Sequence, residues 1–220
     1  MIDLAISGNT VVNKVNGQVP TLPAGISFAD SSEGRVAVFN SGVIGGISFP
    51  HNANYAPGTD DFTIEAIIDA DGLYTEPADN SRIIPIMSWG DWGAAGHYLN
   101  LDFLYNDNAG GGLSAGHYHS GTSVRFTKYG VGILALTKYV HIVAQRKDGI
   151  GYLWQDGVLI GSAPYAANVP AAVAGEFRIM SRRGGDTGNV WWRFIGKLRG
   201  FRYTKAAIYP LTDMVPVMKF

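Results

Sequence analysis

The sequence predicts an all-β protein built as two packed antiparallel sheets, with helix a minor component. Glycine is abundant at 29 residues and is joined by 10 prolines, while charged residues make up only 16%. That balance suits many strands joined by tight turns and disfavours a helical bundle. Short runs rich in β-branched and aromatic residues recur between the turn-formers, and no stretch keeps a 3.6-residue apolar period between good caps.

GRVAVFN (34–40) and GVIGGISF (42–49) are the first strand candidates. In DFTIEAIIDADG (61–72), Phe62, Ile64, Ala66 and Ile68 alternate with Thr63, Glu65, Ile67 and Asp69. This predicts a strand with one core face and one solvated face. SRIIPIMSW (81–89) and HYLNLDFLY (97–105) follow, on either side of the loop GDWGAAG. YVHIVAQRKDGIGYLWQDGVLIGS (139–162) places Asp148-Gly149 and Asp156-Gly157 between apolar runs. Asp-Gly supplies the positive φ angles of primed hairpin turns, so a three-stranded meander is expected. GEFRIMS (175–181) and WWRFIGKLRGFRYT (191–204) complete the set. Neighbouring side chains in a strand face opposite ways, so Trp191 and Trp192 cannot share one core. Phe194 lies two residues after Trp192, which predicts Trp192 and Phe194 inside and Trp191 outside, beside Arg193. No linker or repeat divides the chain, so residues 1–220 are expected to form one domain. The apolar tail 211–220, LTDMVPVMKF, either docks on a partner or packs across the sandwich.

Composition narrows the function. A chain of 220 residues can bury a core without staples, and it has no cysteine. There is then no disulfide, thiolate metal site or cysteine nucleophile. Seventeen basic and 18 acidic residues, with no basic cluster, argue against nucleic-acid binding. MIDLAISGNTVVNK lacks the basic start and apolar run of a signal peptide, no segment has the apolar length of a membrane helix, and no N-x-[ST] sequon occurs. A soluble protein synthesised in a cytoplasm is expected.

Five stretches, in order, carry a resemblance: VAVFNSGVIGGISFP, GTDDFTIEAIID, KYVHIVAQRKDGIGYLWQDGVLIGS, FRIMSRRGG and GKLRGFRYTKAAIYP. Together, over about residues 5–210, the chain resembles the laminin-G-like branch of the concanavalin A-like lectin/glucanase superfamily, in the form common in bacteriophage structural proteins. It departs from that pattern at Lys138-Tyr139, at Arg199-Gly200 and over 206–209. The resemblance implies a jelly-roll sandwich with one concave sheet. In relatives that face or its rim often binds glycans, and many phage members serve as virion parts.

Each chemical signal has a bland counterpart. A retaining glycosidase needs two carboxylates about 5–5.5 Å apart. Glu65, Asp69 and Asp71 share a strand face, but Ile67 interrupts them and Asp71 precedes Gly72 in a turn, so solvated surface carboxylates are expected. GLSAG (112–116) matches the nucleophile elbow, which requires a strand before it and a helix after it. The residues that follow look like strand and turn, so Ser114 is expected in a turn. His117 and His119, with His97 or Asp107 as a third ligand, have metal-site spacing but are expected to line a polar strand face. Asp91, Asp102, Asp107 and Asp186 lie in or beside glycine-rich loops that could wrap calcium, although Asp and Asn are ordinary turn residues and no metal is expected. Sugar faces stack on tryptophan while Asp, Asn and Arg bond their hydroxyls. The contact candidates are therefore Trp89, Asp91 and Trp92 in one loop, with Arg183, Asp186, Asn189, Trp191 and Arg193 in another.

The expectation is a non-enzymatic phage structural protein, a decoration, tail or fibre part located in the virion. Its partners would be other virion proteins or copies of itself, with bacterial surface glycan as an added ligand. The alternatives are a lectin-like receptor-binding module and, more weakly, a glycan-cleaving enzyme. Neither nucleic-acid binding nor membrane insertion is expected.

Overall fold

The computed structural model describes residues 1–32, 34–40, 43, 45–69, 83–90, 97–104, 112–119, 122–129, 139–165, 175–181 and 194–216. Its strands are β1 (Ile2–Ser7), β2 (Thr10–Asn13), β3 (Ser27–Ser31), β4 (Gly34–Phe39), β5 (Ile47–Phe49), β6 (Phe62–Asp69), β7 (Ile83–Gly90), β8 (His97–Leu104), β9 (Gly112–His119), β10 (Thr122–Tyr129), β11 (Val140–Lys147), β12 (Ile150–Gln155), β13 (Val158–Pro164), β14 (Phe177–Ile179) and β15 (Gly196–Thr204). Among the described residues the only helix is a 3-10 turn at Ala53–Tyr55.

The strands form two antiparallel sheets. One runs β13–β12–β11–β6–β15–β1–β2, with β4 also against β15 and β3 against β4; the other runs β10–β9–β8–β7–β14–β5. Phe62, Ile64, Ala66 and Ile68 of β6 share one core cluster with Met87, Leu99, Leu101, Leu113, Phe177 and Ile179 of the second sheet. Each fully buried large side chain of this kind contributes roughly 1.5–3 kcal/mol. Tyr55 of the 3-10 turn packs edge-on against Phe177, ring centroids 5.2 Å apart.

The meander over β11–β13 forms as expected. Asp148 and Gly149 have φ of 51° and 73°, and Asp156 and Gly157 have 49° and 82°, so both turns take two consecutive left-handed residues. Phe194 is buried against Phe39, 5.7 Å between ring centroids, though it precedes β15 rather than lying within it. Arg199, one of the departures from the family pattern, stacks over the Tyr139 ring at 3.6 Å.

Other expectations need correction. The first 31 residues hold β1, β2 and β3, where no strand was expected. Of the run 42–49, the described residues are strand only from Ile47; Gly45 sits at φ 93°, and a Cβ on Gly46 would collide with the Ile179 carbonyl oxygen. Ser114 is not in a turn: it is buried mid-way along β9, between two antiparallel partners. The second face of β6 is not solvated, because every residue of β6 is buried.

The reason lies after β15. The chain turns back and crosses β6, β11 and β12 on the outer face of their sheet. Thr63 Oγ1 donates to the Ala206 carbonyl (2.8 Å), Gln145 Nε2 donates to the Tyr209 carbonyl (3.1 Å), and Gln145 Oε1 accepts from Ile208 N and Tyr209 N (2.9 Å each). Trp154 Nε1 donates to the Thr212 carbonyl (3.0 Å), Asp213 Oδ1 accepts from Leu159 N (2.8 Å), and Met214 N donates to the Gly157 carbonyl (2.8 Å). The described part of the tail, 211–216, therefore docks on its own sandwich. Residues 217–220 lie outside the described set.

Candidate functional site

Two groups of polar side chains occupy the outer faces of the sandwich, and each has a different chemistry. The first centres on Glu65, whose side chain is 0% exposed. Its Oε1 accepts from Arg202 Nε, its Oε2 accepts from the Tyr209 hydroxyl, and His141 Nε2 lies 3.2 Å from Oε2. Burial alone would raise this carboxyl; the bonds from His141, Arg202 and Tyr209 and the Arg202 charge outweigh it and hold it below the usual carboxylate range. The same burial, reinforced by the bond to Glu65, pushes the Tyr209 hydroxyl upward. Both oxygens of Glu65 are committed and the tail covers the group, so it is a latch and not a reacting carboxylate. Asp69, two positions further along this face, pairs with Lys197 Nζ at 2.9 Å.

The second group lies on the outer face of the other sheet. Along β8, Leu99 and Leu101 point into the core, so Asn100 and Asp102 point away from it. Register builds a row across five strands: Ser48 of β5 opposite Arg178 of β14, Arg178 opposite Ser88 of β7, Ser88 opposite Asn100, and Asn100 opposite Gly116 of β9. In the adjacent row Asp102 faces Ser114. Arg125 of β10 takes the next position after Gly116. The row is partly open only at Arg178, whose side chain is 21% exposed; Ser48, Ser88, Asn100 and Gly116 are buried, as are Asp102 and Ser114 in the adjacent row. Arg178 is held by Glu176, with Nε 3.0 Å and Nη2 2.9 Å from Oε2. Asn100 Nδ2 donates to Asp102 Oδ2, and Ser88 Oγ donates to the Ser181 carbonyl at 2.9 Å.

Of the contact candidates read from the sequence, Trp89 is in the core, 1% exposed, and packs edge-on against Tyr55 at 6.4 Å. It is not on the rim: in β7 it alternates with Ser88, and the core takes the larger apolar ring. Asp91, Trp92, Arg183, Asp186, Asn189, Trp191, Trp192 and Arg193 lie outside the described residues, as do Asp71 and Asp107. The strand ends that lead to two of them are at opposite ends of β8: Gly90 pairs with Tyr98 near its start, and Leu104, the last residue before the segment holding Asp107, pairs with Ile83. Asp102 is within β8 rather than in a loop. The backbone register sets His119 directly opposite His97.

Sequence reading missed Ser88, Asn100, Asp102 and Arg178 as one polar group. The signal was present in Leu-Asn-Leu-Asp (99–102), where polar residues alternate with the core residues Leu99 and Leu101. Their alignment with Ser88, Gly116 and Ser114 depends on strand register, which no local pattern states.

No family model matches the sequence, and neither does any curated protein. Among solved structures the chain is similar to the binding domain of Paraclostridial Mosquitocidal Protein 1, with TM-score 0.65 and 14% identity over 94% of this chain and 49% of that one. It thus spans about half the length of that neighbour. The shared fold is an all-β sandwich of two antiparallel sheets. It is also similar to domain 4 of AbnA, a GH43 extracellular arabinanase from Geobacillus stearothermophilus in complex with arabinotriose, at TM-score 0.56 and 14% identity over 87% and 84% of the two chains. A third neighbour is the CBM40 of the Ruminococcus gnavus IT-sialidase bound to α2,3-sialyllactose, at TM-score 0.55 and 11% identity over 83% and 94%. At these identities the likeness concerns the fold alone.

Proposed function

We propose that this protein is a non-catalytic glycan-binding sandwich that uses the outer face of the β5–β10 sheet. The observation that carries the reading is the polar row Ser48–Arg178–Ser88–Asn100–Gly116 on that face, which Arg178 opens to solvent while the rest of the row is buried. Polar residues aligned across neighbouring strands suit a ligand that brings many hydroxyls. Two neighbours of this fold were captured with sugars, arabinotriose in one and α2,3-sialyllactose in the other. Trp92 and Trp191 are the tryptophans proposed to stack on sugar rings.

The setting we propose is a virion, with the protein as a decoration, tail or fibre part contacting other virion proteins or further copies of itself. This part of the reading rests on the sequence resemblance over residues 5–210 and places 1–220 as one working unit.

The test is a glycan array together with bacterial surface polysaccharides, run on the wild type, on Arg178→Ala and on a Trp92→Ala, Trp191→Ala double variant. Saturable binding that weakens in either variant is the expected result. Absence of binding by the folded wild type across the whole panel would remove the glycan role and leave the assembly role, to be checked by co-sedimentation with particles.

A further inference from the structure

Three of the chain's 5 histidines gather at one end of the β8–β9 pair. His97 is the first residue of β8 and His119 the last residue of β9, and the two stand directly opposite each other. His117 lies two residues before His119, opposite Leu99. Successive residues of a strand alternate between its faces, so all three positions belong to the face that carries Leu99, Leu101, Leu113 and Ala115. Directly opposed positions of an antiparallel pair have Cβ atoms about 4.5–5.5 Å apart, and diagonal ones about 7–8 Å. Three positions this close can serve one ion whose bonds to imidazole are about 2.0–2.1 Å long. Sequence alone left the third member open between His97 and Asp107. Register decides for His97, because the segment holding Asp107 leaves from Leu104, at the far end of an 8-residue strand that rises about 3.3 Å per residue.

The surroundings argue the same way. Further along this face the neighbours Leu99, Leu101, Leu113 and Ala115 are buried core residues. Polar groups set at the margin of a core need partners, and a single cation gives a partner to three imidazoles at once. The two remaining histidines are engaged elsewhere: His51 Nδ1 lies 3.0 Å from the Gly175 carbonyl oxygen, and His141 Nε2 lies 3.2 Å from Glu65 Oε2. We propose that His97, His117 and His119 form a site for a zinc-class divalent cation at this end of the sheet. Imidazole nitrogens suit zinc, copper and nickel, whereas calcium and magnesium take oxygen ligands. A tetrahedral ion with three protein ligands keeps its fourth position for water or an outside ligand. The ion also ties the end of β8 to the end of β9, so binding stabilises the folded chain by mass action. The proposal is independent of the glycan-binding reading.

The test uses the full chain, stripped with a chelator and titrated with zinc chloride by calorimetry, above the histidine pKa range so that the imidazoles are neutral. Cobalt(II) is titrated alongside, because a tetrahedral cobalt site absorbs visible light strongly. His97→Ala, His117→Ala and His119→Ala are compared with His51→Ala, and each is checked for a cooperative unfolding transition. The proposal expects one zinc per chain and a higher Tm with zinc. It also expects a Kd raised by about tenfold or more in each of the three variants and unchanged in His51→Ala. Should a variant fail to fold, NMR of the wild-type histidine side chains stands in: zinc should shift His97, His117 and His119 and leave His51 and His141 in place. No zinc binding by the folded wild type would overturn the proposal. So would binding that His97→Ala leaves unchanged, or zinc-induced shifts confined to His51 or His141.

Discussion

Glu65 is fully buried on the face of β6 that looks away from the core, and the donors around it keep it ionised there. Its folded value lies below that of a free glutamate, about 4.3. Its contribution to stability is therefore complete above that value and is lost as pH falls through the folded one. Urea unfolding should give a stability that this group leaves unchanged from pH 7 to 5 and that declines below about 4.3. Glu65→Gln should cost about 1–3 kcal/mol at pH 7, since it takes the carboxylate charge out of the bonds with Arg202 and Tyr209, and the gap should narrow as the pH drops. A gap that is constant down to pH 3 would show that the carboxylate charge does not hold the tail. Gly157 makes a second case. It sits at φ 82°, and a Cβ there would collide with the Met214 carbonyl oxygen. Gly157→Ala should destabilise by about 1–3 kcal/mol, with faster hydrogen exchange concentrated in 208–214. The sequence marks Gly157 as a turn glycine; its second role, making room for the tail's backbone, depends on a segment more than fifty residues away.

The tail after Thr204 behaves as an element although it forms no strand. It is held by backbone and side-chain bonds to β6, β11, β12 and the turn before β13, and it meets the buried Trp154, whose Nε1 donates to the Thr212 carbonyl. Ending the chain after Lys205 should bare Trp154, shifting tryptophan emission to longer wavelength and raising the binding of an apolar dye. Unchanged emission would mean that the tail does not cover Trp154 in solution. Legibility differs between elements for a physical reason. The β11–β13 meander is visible because Asp-Gly pairs fix its turns locally. β1 to β3 are short and carry polar residues such as Asp3, Thr10 and Asp30, and they become strands only because β15 and β4 offer them edges to pair with.

For the molecule as a whole, the decisive pairing is β6 with β15, which sets Ala66 opposite Phe201. The sheet's centre closes only when the last strand arrives, so loop-closure entropy must be met before the core forms. Refolding should be slow for a chain of this size, on the scale of milliseconds to seconds or longer. A truncation that removes β15 should show no cooperative unfolding transition by circular dichroism. A truncated chain that still melts cooperatively would show that the other strands hold the sandwich without it.

Composition, alternation and turn chemistry, read from the chain alone, were enough for an all-β sandwich of antiparallel sheets, for the core face of β6 and for the meander, because each of these depends on residues close together in sequence. Folding settled what lies on the two outer faces. Glu65 looked like a surface carboxylate until residues 206–214 covered it, and Ser88, Asn100 and Gly116 became one row only through register between strands. Both outcomes depend on contacts between distant segments, and alternation can say which side chains share a face of a strand but not what will lie on that face.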